Sequence, residues 1–470
     1  MSPISYVSTR GAAPELGFAD VLLAGLARDG GLYVPSSWPS ITVGDLGRFA
    51  AMSYADIAID VMWPFVEGSI DRDEFASIVT DAYSTFDAAD VIPLIDLGDG
   101  IWLAELFHGP TLAFKDVALQ LVGRLFDHEL SRRGEKVTVV GATSGDTGSA
   151  AIEALRDRGT AEVFILHPAG RVSDVQRRQM TTVMSPNVHN IAVEGTFDDC
   201  QDIVKALFAD DDFRDRRNLS AVNSINWARV MAQMVYYVTS TVRLTGGDGS
   251  PVAFSVPTGN FGNVFAGYGA QRMGVPISQF VVASNRNDIL TRFLTTGTMT
   301  IGEVHPTLSP SMDIQVSSNL ERLLFEVHGR DGAAIAEMMA TFRSEGTVSV
   351  DADRLALLAD HWSAARVDDA TTSATIADVH DRTGMLLDPH TAVGLAAAIE
   401  ARTDPSVPMV VLATAHPAKF PDAVEAATGV HPPLPAHLAD LFERTERYQV
   451  VANDYATVRG VIEGTLDASV

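Results

Sequence analysis

Cysteine is almost missing from this chain: Cys200 is the only one in 470 residues. A single thiol excludes an internal disulfide and a cysteine-built metal centre, and it fits a reducing cytosol. Basic residues are also scarce, with 34 Lys and Arg against 60 Asp and Glu, a formal net charge of −26. Such a surface repels nucleic acid, so any anionic substrate must be drawn in by a local positive site. The apolar stretches are short and interrupted by charges, well below the length that spans a bilayer. No membrane partner is expected. Met1 to Tyr6 shows no basic start followed by an apolar run, so no secretory leader is expected and the compartment reads as cytoplasmic. There is no His-x-x-x-His pair and no calcium-loop pattern, which gives a metal-centred mechanism little support. A Gly-x-Ser-x-Gly elbow is absent too.

What the chain does have is alternation. Residues 15–90 read as mostly helical, with Phe18 to Leu26 and Leu46 to Val61 as the clearest stretches. Apolar runs at 91–97 and 101–107 flank Gly98-Asp99-Gly100, a hairpin signal. Val137–Val140, Val163–Leu166, Val252–Val256, Phe280–Ala283 and Met409–Ala413 read as buried strands, and Ser149–Arg156 and Val264–Met273 as helices. Residues 330–380 are Ala-rich and helical in pattern. Strands alternating with helices point to parallel sheets covered on both faces. A chain this long needs more than one core.

The segment His108-Gly-Pro-Thr-Leu-Ala-Phe-Lys115-Asp116 carries a lone lysine where an apolar turn becomes a helix. Val117, Ala118, Leu119, Leu121, Val122, Leu125 and Phe126 follow at the spacing of a buried helix face. An ammonium carried there loses hydration, which favours the free amine and Schiff-base chemistry on an aldehyde cofactor. Taken alone, pairing of Lys115 with Asp116 at a helix entrance is the simpler account. Two glycine loops lie between a strand end and a helix start, where a doubly wound fold seats ligands. Gly141-Ala-Thr-Ser-Gly-Asp-Thr-Gly148 offers hydroxyls and helix N-terminal amides to a carboxylate. Thr258-Gly-Asn-Phe-Gly-Asn263 can fold its backbone around one phosphate monoester, and it matches neither a P-loop nor a dinucleotide fingerprint. A tight strand-to-helix turn explains either loop equally well. Thr414, at the end of a buried strand, can hydrogen-bond a ring nitrogen without carrying charge, or can cap a helix.

Together these segments resemble the threonine synthases, pyridoxal-phosphate enzymes of the tryptophan-synthase-like fold (fold type II). The resemblance also rests on Tyr6-Val-Ser-Thr-Arg-Gly11, Gly25 to Pro35, Asn223-Ser-Ile-Asn-Trp-Ala-Arg229, Asn287-Asp-Ile-Leu, Ser309-Pro-Ser-Met-Asp-Ile314, Asp388-Pro-His-Thr-Ala392 and Thr414 to Lys419. The amino-terminal pattern is that of the longer, fungal and enterobacterial type. The resemblance implies an α/β fold of two parallel-sheet domains plus a helical amino-terminal region. The expected partition is 1–90 as that helical domain, 91–133 with 223–470 as a large cofactor-binding domain, and 134–222 as a small domain carrying the carboxylate loop. It implies pyridoxal 5'-phosphate as cofactor, with Lys115 as covalent anchor and catalytic base. Gly259, Asn260, Phe261, Gly262 and Asn263 would cup the cofactor phosphate, and Thr414 would face the pyridine nitrogen. Ser144, Asp146 and Thr147 would hold the substrate α-carboxylate, with Asn226, Arg229, Asn287 and Asp288 as candidates for the rest of the substrate.

The implied reaction is O-phospho-L-homoserine plus water giving L-threonine and phosphate, by γ-elimination and β-addition, in a monomer or homodimer. Related readings are a phospho-lyase of the same fold that stops at 2-oxobutyrate, and an amino-acid dehydratase or cysteine-synthase relative. The long amino-terminal region and the Ser309–Ile314 segment speak against the latter pair. A catalytically dead binding homologue is disfavoured by an intact Lys115 and both loops.

Overall fold

The computed structural model describes residues 3–221 and 224–468. They form two compact units, Met1–Ala118 with Ser224–Pro432, and Leu119–Asn223 with Pro433–Val470.

The first unit is built on a six-stranded sheet. Its strands lie in the order Trp362–Arg366, Ile277–Ser284, Val252–Pro257, Met409–Ala413, Ile101–Glu105 and Leu94–Gly98. All neighbours are parallel except the last pair, the hairpin closed by Asp99 and Gly100. The strand period of two divides the central residues between two faces. Ala253, Val281, Ala283, Met409 and Val411 join Val393, Ala397 and Ala398 of helix Pro389–Ala401 in one apolar cluster. On the other side Phe254 and Phe280 meet Tyr237, at ring-centroid distances of 4.7 and 6.4 Å. Tyr237 belongs to helix Trp227–Thr245, whose side chains from Trp227 to Val242 are all buried. Burial on both faces is why these strands are legible as unbroken apolar runs.

The amino-terminal residues form part of this unit instead of a separate helical domain over 1–90. Trp227 is their anchor: Tyr6, Phe65 and Trp38 lie around its indole at 5.9, 5.7 and 6.0 Å. Tyr6–Ser8 and Tyr33–Pro35 pair as an antiparallel ribbon that the helical reading of this region did not include. The helix expected over Leu46–Val61 is two helices, Val43–Phe49 and Tyr54–Val66. Ser53 caps the second by accepting from the Asp56 N–H, which restarts the helix.

The second unit carries a five-stranded parallel sheet in the order Gln449–Ala452, Val188–Glu194, Ala161–Pro168, Val137–Ala142 and Leu219–Ser220. Its last strand in sequence comes from the carboxyl terminus, which the expected partition gave to the large domain. Val451, Val458 and Ile462 are buried with Phe164, Ile191 and Leu207 of this sheet and its helices, and that burial fixes the tail here. The expected boundary at 222/223 falls on residues outside those described. No helix among the described residues is long and apolar enough to cross a membrane.

Candidate functional site

Lys115 is the first residue of helix Lys115–Arg133, and the turn before it is laced to the end of a central strand. The Phe114 N–H donates to the Thr414 carbonyl at 2.9 Å, and the His416 N–H to the Leu112 carbonyl at 3.0 Å. Ala113 and Ala415 form an antiparallel bridge between them. Leu112 takes a left-handed φ of 63°, a conformation a leucine holds only when its surroundings enforce it. The enforcement is visible on both sides. The buried Lys419 ammonium donates to the Thr111 carbonyl at 2.6 Å, and Asp116 accepts from the Thr111 N–H and hydroxyl at 2.7 Å each. Asp116 therefore closes the turn that presents Lys115. The lysine side chain is only 8% exposed, with Nζ 5.0 Å from the centre of the Phe114 ring. Thr414, also buried, directly follows the Met409–Ala413 strand, so the anchor candidate and the ring-nitrogen candidate share one sheet edge.

The Gly259 loop reaches the same carboxyl edge from the neighbouring strand Val252–Pro257. Phe261 has a φ of 62° and precedes helix Gly262–Met273, whose first amides receive no side-chain cap from it. Behind the loop runs the segment 309–319. Ser317 Oγ donates to the Gly259 carbonyl at 2.7 Å, and the Asn319 N–H and Nδ2 donate to the Asn260 carbonyl at 3.1 and 2.9 Å. Since C=O and N–H point oppositely across a peptide plane, tying the carbonyls back turns the N–H groups forward. A Cβ on Gly259 would stand 2.8 Å from the Ser311 carbonyl oxygen, so only glycine fits between loop and backing segment. Asn319 is itself gripped by Arg322, a fully buried guanidinium that also donates to the Tyr33 carbonyl at 3.1 and 2.9 Å. Asn263 has its Oδ1 occupied by the hydroxyls of Tyr236 and, at 2.9 Å, Tyr237. Its Nδ2 is buried with no hydrogen-bond partner among the described residues.

Arg229 stands seven residues before Tyr236 in the same helix, and hence on the same face. Its Nε and Nη1 are likewise buried without a hydrogen-bond partner among the described residues. Burial lowers its pKa to about 10, with the nearby Tyr236 hydroxyl pulling slightly the other way. The other substrate candidates are used by the fold. Asn226 caps helix Trp227–Thr245 through the Ala228 N–H at 3.0 Å and donates to the Leu22 carbonyl at 2.8 Å. Asn287 exchanges two hydrogen bonds with the His305 backbone, each of 2.8 Å, and donates to Asp313 at 2.9 Å. Asp288 pairs with Arg292 at 2.9 Å and Arg366 at 3.6 Å. Asn223, the first residue of the motif ending at Arg229, lies outside the described residues.

In the second unit the loop after Val137–Ala142 is held from within. Thr143 Oγ1 accepts from the Gly145 and Gly148 N–H groups at 2.9 Å each. Gly145 has a φ of 144°, and a Cβ there would meet the Gln176 amide at 2.5 Å. Gln176 in turn donates to Asp146 Oδ1 at 2.8 Å, inside the first turn of helix Asp146–Leu155. The Asp146 carboxylate thus serves the loop. What faces outward is the exposed Ser144, the half-buried Thr147 and the amides of the helix start.

Sequence reading missed Tyr236, Tyr237, Ser317, Asn319 and Arg322. The seven-residue interval from Arg229 to Tyr236 was an available signal; the others touch the loop from segments remote in sequence.

The comparisons agree along the whole chain. A family model described as the threonine synthase N terminus matches residues 5–83. One described as pyridoxal-phosphate dependent enzyme matches 91–349, and one described as threonine synthase, C-terminal, matches 391–462. The threonine synthase of Pseudomonas aeruginosa is 56% identical, with 97% of each chain covered. The X-ray structure of pyridoxal-phosphate-bound threonine synthase from Brucella melitensis is 51% identical, covers 98% of this chain and 99% of its own, and superposes with a TM-score of 0.96. Threonine synthase from yeast is 40% identical over the whole of both chains, with a TM-score of 0.94. This chain belongs to the threonine synthase family.

Proposed function

We propose that Lys115 is the covalent anchor and proton carrier of a pyridoxal-phosphate-dependent lyase that turns O-phospho-L-homoserine and water into L-threonine and phosphate. The observation that carries the assignment is the pairing of Leu112–Phe114 with Thr414–His416 beside the Gly259 loop. An amine, a neutral hydroxyl and a glycine loop on one sheet edge support this reading.

The residues present fit the cofactor. The Gly259–Asn263 backbone and the unpartnered Asn263 Nδ2 would take its phosphate, and Thr414 would meet its pyridine nitrogen. When bound, pyridoxal phosphate supplies a conjugated ring that accepts negative charge from the substrate carbons. The chain does the rest. The Lys115 amine would carry protons to and from Cα and Cβ of the substrate. Ser144, Thr147 and the Asp146 N–H hold the α-carboxylate, favoured by the positive end of helix Asp146–Leu155. Arg229 has donors to spare for the substrate phosphate, whose charge would repay the burial of its guanidinium. Asn226, Asn287 and Asp288 use hydrogen bonds and ion pairs within their own surroundings. Burial pushes the Cys200 thiol up to about 11, which keeps it neutral and outside this chemistry.

The test is Lys115→Ala, assayed with phosphohomoserine by chromatography of the products. Threonine formation should vanish and the cofactor should become removable by dialysis. Retained threonine formation overturns the assignment. In the natural chain, 2-oxobutyrate as main product would replace the synthase reading with the elimination lyase.

A further inference from the structure

The Ser309–Ile314 motif backs the Gly259 loop, and the Asp388–Ala392 motif lies far from it in sequence. The structure joins them. Asp388 begins helix Pro389–Ala401 and is buried, as is His390. Asp388 accepts from the His390 N–H at 2.9 Å, the Thr391 N–H at 3.3 Å and the Thr391 hydroxyl. The same carboxylate lies 2.8 Å from His390 Nδ1. On the far side of the ring, Nε2 accepts from the Ser311 N–H at 3.2 Å. An accepting Nε2 requires the proton to sit on Nδ1, where Asp388 receives it, so both ends of the imidazole are fixed. Phe420 lies against the ring at 4.8 Å and limits its tilt.

Ser311 belongs to the short 3-10 turn Pro310–Met312, whose Ser311 carbonyl is the surface against which Gly259 is fitted. Beyond that turn, Ser317 and Asn319 hold the carbonyls of Gly259 and Asn260. A second brace holds the other flank of the motif: Asp313 accepts from Asn285 at 2.8 Å, from Asn287 at 2.9 Å, and from the Thr307 hydroxyl at 2.6 Å. The motif is therefore a fixed wall, pinned by Asp313 on one side and by His390 on the other.

We infer that His390, oriented by Asp388, is a positioning residue for the cofactor phosphate: it holds the Ser311 turn that sets where the Gly259 loop stands. This rests on the reading that Gly259–Asn263 receives the phosphate. Loss of the acceptor at Nε2 would remove the tie between helix Pro389–Ala401 and the half-buried Ser311 N–H, and the turn would shift, taking the Gly259 backing along. The effect should fall on the phosphate and spare the ring of the cofactor.

The test compares pyridoxal phosphate with pyridoxal, which lacks the phosphate, titrated by visible absorbance into the cofactor-stripped full chain. His390→Leu removes both ring functions. His390→Asn keeps a donor for Asp388 where Nδ1 stood but withdraws the acceptor from Ser311. His390→Gln places an amide oxygen where Nε2 stood. The Leu and Asn variants should bind pyridoxal phosphate about tenfold more weakly and pyridoxal unchanged, with the Gln variant within about twofold of the natural chain. Equal losses for both ligands, no loss in the Asn variant, or no rescue by Gln overturns the positioning role. If the Leu variant does not fold, the Asn and Gln pair carries the comparison. Gly259→Ala separates the two readings. If it leaves pyridoxal-phosphate affinity intact, the phosphate cup itself is wrong. If it weakens that affinity while His390→Asn does not, the cup stands and the positioning role falls.

Discussion

Arg229→Met should make the protein more stable and less able to bind phosphate. The guanidinium carries two buried nitrogens without a partner among the described residues, and burial drags its pKa from the ordinary 12.5 to about 10. That displacement corresponds to about 3 kcal/mol against the charged form. Methionine fills a similar volume with no charge. After about 1 kcal/mol for imperfect packing, the ligand-free protein should gain about 2 kcal/mol, in line with other replacements of poorly compensated buried charges. The assay is thermal unfolding of the cofactor-loaded protein with and without inorganic phosphate. The variant should melt a few degrees higher than the natural chain in phosphate-free buffer. Phosphate should raise the melting temperature of the natural chain by mass action and leave the variant unmoved. With phosphohomoserine, KM should rise at least tenfold, the loss of one charge-assisted contact. A variant that melts lower than the natural chain and still responds to phosphate would show that Arg229 has a structural duty, and would refute the reasoning.

Ser144→Ala should raise KM for phosphohomoserine about tenfold with little change in kcat, measured by steady-state phosphate release; an unchanged KM removes Ser144 from the carboxylate site. Thr414→Asp places a carboxylate at the candidate ring-nitrogen position, and should cut threonine formation and change the share of 2-oxobutyrate; turnover and by-product both unchanged would count against the role given to Thr414. Burial, helped by the charge of His108, lowers the His416 pKa from 6.5 to about 4. The unfolded chain therefore takes up this proton first, and stability is lost as pH falls from 6.5 towards 4, by up to about 3 kcal/mol. His416→Asn, which keeps an acceptor for the Ala418 N–H that now bonds to Nδ1, should flatten that decline in urea unfolding at pH 7, 6 and 5; equal slopes in the two proteins would dismiss it.

Legibility in the sequence followed burial. Val252–Pro257, Ile277–Ser284 and Met409–Ala413 are covered on both faces, so apolar runs announce them. Trp362–Arg366 and Gln449–Ala452 lie at sheet edges, are only partly covered, and carry mixed side chains that look like loop or helix. The same limit applies at the site. Lys115 and the Gly259 loop stand out because their residues form contiguous motifs, although segments remote in sequence hold their geometry. Asn226, Asn287 and Asp288 share motifs with Arg229. Yet only partner geometry separates a polar group spent on its own fold from one with donors left over. Ser317 and Asn319 act across long sequence intervals, where no local pattern exists to be read.

The place of Met409–Ala413 in its sheet also sets a timetable. This strand is the last of the six to be synthesised, yet it lies between Val252–Pro257 and Ile101–Glu105, in the middle of the sheet. Until it arrives, those two strands have no common neighbour. The turn ahead of Lys115 also lacks the backbone partners at residues 414–416 that hold it. At ordinary rates of synthesis, residue 413 follows residue 257 by roughly 8 to 30 seconds. During that interval a nascent chain has the Gly259 loop but no fixed Lys115 turn beside it. A chain truncated ahead of residue 409 would remain in that condition, with two unpaired strand edges.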